Sequence, residues 1–104
     1  MLNSVVVVGR ICEKPTLIEL ESGRKNCSIV LSVNRAYKNS NGDYETDYIP
    51  CLLWQGIAQN VVDYCKQGDI IGIRGKIENR DNKLQVVAEK VTFLSSKKVE
   101  GEED

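Results

Sequence analysis

The sequence predicts an all-β domain carrying a single helix. Three observations lead there. Runs rich in Val, Ile and Tyr recur along the chain. Turn residues punctuate them. Apolar spacing switches to a helical period in one place, residues 55–67.

Residues 2–12 (LNSVVVVGRIC) are a β-branched run without polar alternation. Both faces of that strand are therefore expected to be buried, in a barrel or against another subunit. Gly9 in mid-run predicts a bulge or sharp bend. Glu13-Lys14-Pro15 ends the strand, residues 16–21 read as a short second strand, and Glu21-Ser22-Gly23-Arg24 reads as a turn. Residues 25–37 form the next strand, with Cys27, Ile29, Leu31 and Val33 on its apolar face. It is expected to bulge or leave the core near Asn34-Arg35.

Residues 33–54 (VNRAYKNSNGDYETDYIPCLLW) hold the only tryptophan and three of the four tyrosines. They read as a hairpin whose turn, Lys38 to Asp43, contains Asn41-Gly42, residues that tolerate positive φ. After the turn, side chains alternate at period two. Tyr44, Thr46, Tyr48, Leu52 and Trp54 fall on one face, and Ile49, Cys51 and Leu53 on the other. Two readings fit the aromatics: half-buried strand residues, or exposed platforms on which nucleobases stack.

In residues 55–67, Ile57, Val61 and Cys65, with Ala58 and Val62, make a 3.6-period stripe, and Gly68 is the predicted helix stop. Residues 69–80 return to strand. Ile71, Ile73 and Ile77 face one way, and Arg74, Lys76, Glu78 and Arg80 the other. Asp81-Asn82 predicts a short turn, and residues 83–94 form the last strand. A lone helix between the third and fourth long strands is the order of a five-stranded Greek-key barrel of the OB type. There the helix plugs one end, and strands 2 and 3 present a ligand face. The aromatic hairpin builds that face. Residues 1–95 are thus expected to form the OB domain, and 96–104 a short disordered tail.

At 104 residues, 41% hydrophobic and 28% charged, the chain is sized for one globular domain. No apolar run approaches the ~20 residues of a membrane span, and Met1-Leu2-Asn3 lacks the basic start of a signal peptide, so a cytoplasmic location is expected. Cys12, Cys27, Cys51 and Cys65 are widely spaced in apolar runs. They read as buried thiols rather than a disulfide framework or zinc site. Without histidine, a glycine-rich phosphate loop or a paired acid–base constellation, neither an enzyme nor a cofactor is expected. Net charge is −1, yet residues 100–104 hold four acids. Setting those aside leaves 14 basic residues against 11 acidic ones, a net of +3, which permits a phosphate-bearing partner.

Several stretches resemble the bacterial and phage single-stranded DNA-binding proteins. Val5-Val6-Val7-Val8-Gly9-Arg10 is similar to that family's opening strand, and Lys14-Pro15 falls where the family has Asp-Pro. Leu31-Ser32-Val33-Asn34-Arg35 is similar to Leu-Ala-Val-Asn-Arg, and Asp47-Tyr48-Ile49 through Trp54 to its third long strand. Residues 58–64 with Gly68 resemble its helix and following glycine, and Gly75-Lys76-Ile77 resembles Gly-Arg-Leu. The match covers residues 2–94. It implies an OB fold, sequence-tolerant binding of single-stranded DNA in replication, recombination or repair, and nucleoid association. It also implies a homo-oligomer, more often a tetramer than a dimer. The family's stacking aromatics correspond to Tyr37, Tyr48 and Trp54. Arg10, Arg35, Arg74, Lys76 and Arg80 are the phosphate contacts it implies.

Three departures stand beside the resemblance. The turn Asn79 to Lys83 is short and lacks the aromatic the family often carries there. Pro50 replaces a basic or polar residue, so this point is expected at an edge or bulge. The chain ends Glu102-Glu103-Asp104 without the family's Pro-Phe tip, which argues against recruiting replication proteins through the tail. The first and third departures keep a second reading open, an OB assembly factor of the primosomal type with weak DNA binding.

Overall fold

The computed structural model describes residues 1–95. They form β1 (Val5–Ile11), β2 (Ile18–Glu19), β3 (Lys25–Lys38), β4 (Tyr44–Trp54), α1 (Gln55–Tyr64), β5 (Ile70–Arg80) and β6 (Lys83–Ser95). The strands run β1-β5-β6-β4-β3-β2, and a β1–β3 pairing closes the five long ones into a barrel, as predicted. The helix lies between the third and fourth long strands. The expected tail, 96–104, falls outside the described residues. Among the described residues no helix is long and apolar enough to cross a membrane.

Closure happens at one residue. Val5 to Arg10 pair with β5, from Val5↔Gly75 to Arg10↔Ile70, while Arg10 and Ile11 also pair with Ser32 and Leu31 of β3. Gly9 lets the strands cross there. A Cβ on it would lie 2.7 Å from the Ser32 carbonyl oxygen and 2.9 Å from a Val33 methyl. Of the two ways expected to bury both faces of β1, the barrel alone does not do it, because Val6 and Val8 are 68% and 50% exposed. The barrel covers the side bearing Ile11 and leaves the alternate side open.

Each long strand and the helix gives the core at least one side chain, among them Ile11, Leu31, Leu53, Val61, Ile73 and Val86. The β3–β4 register shifts between Asn34 and Lys38, at the predicted bulge. The hairpin turn is built on Asn39, whose Oδ1 accepts the amides of Asn41 and Asp43, and Gly42 takes φ +85°. β6 pairs with β4 at Cys51 and Leu52, so Pro50 stands where that ladder stops, an edge as expected. Parity put Leu52 with the exposed aromatics, but it is 4% exposed. It sits between Ser28 on β3 and Val87 on β6, where three strands meet.

The helix ends at Tyr64, one turn before the predicted stop. Gly68 instead takes φ +92° in the turn into β5, where its amide donates to the Ile11 carbonyl. The buried Asp69 carboxylate accepts the Lys66 amide in the same turn.

β5 and β6 continue past the barrel as a two-stranded arm, paired to Arg80↔Lys83. Asp81 and Asn82 turn it with φ +54° and +63°, the two positive values a tight hairpin turn needs. The predicted turn is as short as expected, but the strands feeding it are long. Ile77, placed on the buried side by parity, is 43% exposed because β1 leaves β5 at Gly75. Beyond that point the Asn3 side chain takes over from β1. Its amide donates to the Ile77 carbonyl at 2.8 Å and its Oδ1 accepts the Ile77 amide at 2.9 Å.

Candidate nucleic-acid interface

The outward face of β3 and β4 pairs Asn26 with Trp54, Ser28 with Leu52, Val30 with Pro50, Ser32 with Tyr48, and Asn34 with Thr46. Tyr48 and Trp54 thus share one face, six residues or ~20 Å apart along the strand. Tyr48 is 65% exposed and Trp54 half-buried. Tyr37, also 65% exposed, lies within the register shift between Asn34 and Lys38 of β3. Tyr44 stands at the hairpin end with the Lys38 ammonium 5.7 Å above its ring. Trp54 closes β4 in extended conformation and is the N-cap of α1, and Gln55 takes φ +51° directly after it. A strand that turns into a helix through one left-handed residue fixes where the indole points.

The predicted cations divide. Arg35 is committed to carboxylates: its Nε and Nη2 donate to Asp47 at 3.1 and 2.9 Å, and its Nη1 donates to Glu45. The hydrogen bond and charge of Arg35 hold the Asp47 carboxyl below its usual range, and Asp47, with Glu45, raises the Arg35 pKa. Arg10 donates from Nη1 to the Gly68 carbonyl at 2.7 Å, bracing the barrel closure. Arg74 pairs with Val6 and Lys90 across the ladder, on the β1-β5-β6 face. Lys76 and Arg80 lie on the arm with Glu78 between them, at 3.8 and 3.9 Å. The structure brings Tyr48 and Trp54 onto one face. Of the five cations, Arg10 shares that side, because it pairs with Ser32 and Ser32 pairs with Tyr48, and Lys76 reaches it through Val87 and Leu52.

Sequence reasoning missed Arg24. Its guanidinium carbon lies 4.2 Å above the centre of the Trp54 ring. The residue was read only as part of a turn, and nothing local in the sequence couples positions 24 and 54. The Asn26↔Trp54 register does, placing Arg24 two residues along the same face and so diagonal to the indole.

The expectation of buried thiols holds for two of the four cysteines. Cys27 and Cys51 are buried, Cys12 and Cys65 half-buried, and all four are free. Burial pushes Cys51 up to about 12 and, with the Asp69 charge, Cys65 up to about 11, so these two are protonated at neutral pH. Among the described residues no group of three or more His, Cys, Asp or Glu could hold a metal ion.

Single-stranded DNA-binding protein B of Bacillus subtilis is 34% identical over 93% of this chain and 94% of its own length. Single-stranded DNA-binding protein 1 of Clostridium acetobutylicum is 34% identical over 93% of this chain and 97% of its own. Single-stranded DNA-binding protein 1 of Lactococcus lactis is 36% identical over 99% and 75%. The model of the single-strand binding protein family matches residues 2–100. A match over nearly the whole chain, with relatives aligned end to end, shows that the chain belongs to the single-strand binding protein family.

Proposed function

We propose that this protein binds single-stranded DNA with little sequence preference, serving replication, recombination or repair in the nucleoid. The observation that carries the reading is the placement of Tyr48 and Trp54 on one strand face, with Tyr37 exposed within the β3 bulge. Bases lie on these rings, each stack contributing ~1–3 kcal/mol. Every base has a π-face, so sequence matters little, and a duplex hides those faces, so single strands are preferred. Phosphates fall to Arg10, Lys76 and Arg80, while Arg74 stands beside Val6 and Val8 on the β1-β5-β6 face. Arg35 contributes less, because Asp47 and Glu45 already hold its charge. Releasing counterions from the phosphates makes affinity fall as salt rises.

Titration with oligo-dT tests this. Trp54, the only tryptophan, should be quenched, and affinity should drop steeply with salt. Absence of quenching together with absence of a gel shift at low salt would sink the reading.

The working form is a homo-oligomer, with a tetramer favoured over a dimer. Val6 and Val8 of β1 and Leu94 of β6 are exposed around one hollow, which Arg74, Lys90 and Thr92 also line and which a second copy would cover. Val6→Glu with Val8→Glu is expected to yield monomers by light scattering. An unchanged mass would place the contact elsewhere.

A further inference from the structure

Arg24 lies on the strand face just described, and its position is built. The Leu20 amide donates to the Arg24 carbonyl at 2.8 Å, and the Gly23 amide donates to the Leu20 carbonyl at 2.8 Å. The Arg24 amide in turn donates to Ser22 Oγ. This tight turn joins β2 to β3 and sets Arg24 diagonal to Trp54. The indole is half-buried with the exposed Arg24 lying over it. A guanidinium 4.2 Å above the ring centre fills the space a stacked base would need.

Arg24, unlike Arg35 and Arg80, takes part in none of the ion pairs of the described residues. Its contact with the ring is the weaker kind of stack. An exposed cation–π contact gains less than a base on an aromatic, so an arriving base wins the place.

We propose that Arg24 is a binding residue that works by displacement. In the free protein it covers the Trp54 ring; when a base stacks there, the freed guanidinium takes that nucleotide's phosphate. This rests on the single-stranded DNA reading and assigns it a residue. The cap keeps a lone, partly apolar ring covered until ligand arrives, and the exchange turns an intramolecular contact into an intermolecular charge pair.

The test compares wild type with Arg24→Ala and Arg24→Lys, after thermal melts confirm that the exposed turn tolerates the changes. In free protein, acrylamide should quench Trp54 more strongly in Arg24→Ala than in wild type. With oligo-dT, the salt dependence of Arg24→Ala should be shallower by one phosphate contact, a slope change of about 0.7 for a single strand. Across a fourfold rise in salt, wild type should thus lose about 2.5-fold more affinity than the variant. Arg24→Lys, which keeps the charge, should retain the wild-type slope. Wild-type binding with an unchanged slope in Arg24→Ala, or equal acrylamide quenching, overturns the displacement role and leaves the DNA reading standing. No binding by wild type overturns both.

Discussion

Gly75→Ala is expected to destabilise the fold by about 3 kcal/mol or more, lowering the melting temperature by about 12–24 °C. A Cβ at Gly75 would lie 2.0 Å from the Val87 carbonyl oxygen and 2.9 Å from its carbon. Both are backbone atoms, so no rotamer change relieves the clash. The position is where the β5–β6 register shifts between Arg74 and Gly75 and where β1 stops pairing with β5. Three residues earlier in the same strand, Gly72 supplies the control. Its Cβ would meet a Val8 methyl at 3.6 Å and a Leu94 methyl at 3.7 Å, ordinary contacts. Gly72→Ala should change stability by no more than about 1 kcal/mol. Urea unfolding followed by Trp54 fluorescence, at one fixed protomer concentration, separates the two. Equal losses would mean that close approach at the bulge is not what requires glycine.

Replacing Tyr48 and Trp54 together by alanine should weaken oligo-dT binding by about 2–6 kcal/mol, at least ~30-fold, since two stacks of ~1–3 kcal/mol are removed. Lys76→Ala should cost a few-fold at most. That ammonium is exposed and already has Glu78 at 3.8 Å, so its removal gives up one partly screened contact. Because the double variant has no tryptophan, binding is read from the anisotropy of a labelled oligonucleotide. Losses of similar size in the two variants would point to electrostatics without stacking. The arm sharpens the contrast: none of residues 76–85 is aromatic, so the β3–β4 hairpin supplies the rings.

What could be read in advance follows from what sequence encodes locally. Alternation in β4 separated Tyr48 and Trp54 from Cys51 and Leu53 because strand geometry alone sets those sides. It misplaced Leu52, because side and coverage are different properties. Leu52 points with the aromatics yet lies where β3, β4 and β6 meet. Ile77 failed in the opposite sense, having the pattern of a buried residue on a segment that has left the barrel. Gly68 carried a true signal, positive φ, but the turn that uses it comes after the helix has ended. Arg35 and Arg24 show what local pattern cannot supply. The commitment of Arg35 to Asp47 depends on pairing across the hairpin, where Asp47 faces Val33. The seat of Arg24 over Trp54 depends on a register between residues thirty apart.

The closure of the barrel at Arg10 also sets a timetable. Val5 to Val8 find their partners on β5, with Val5 opposite Gly75 seventy residues later. At synthesis rates of about 5–20 residues per second, Val5 waits roughly 3.5–14 s for the residue that will pair it. Non-local pairing of this kind folds slowly, in milliseconds to seconds, once all partners exist. During that wait a four-valine β-branched segment has an open edge, and such segments seed aggregation. Arg10, at the end of the run, sets a charge against that hazard while the chain is still being made.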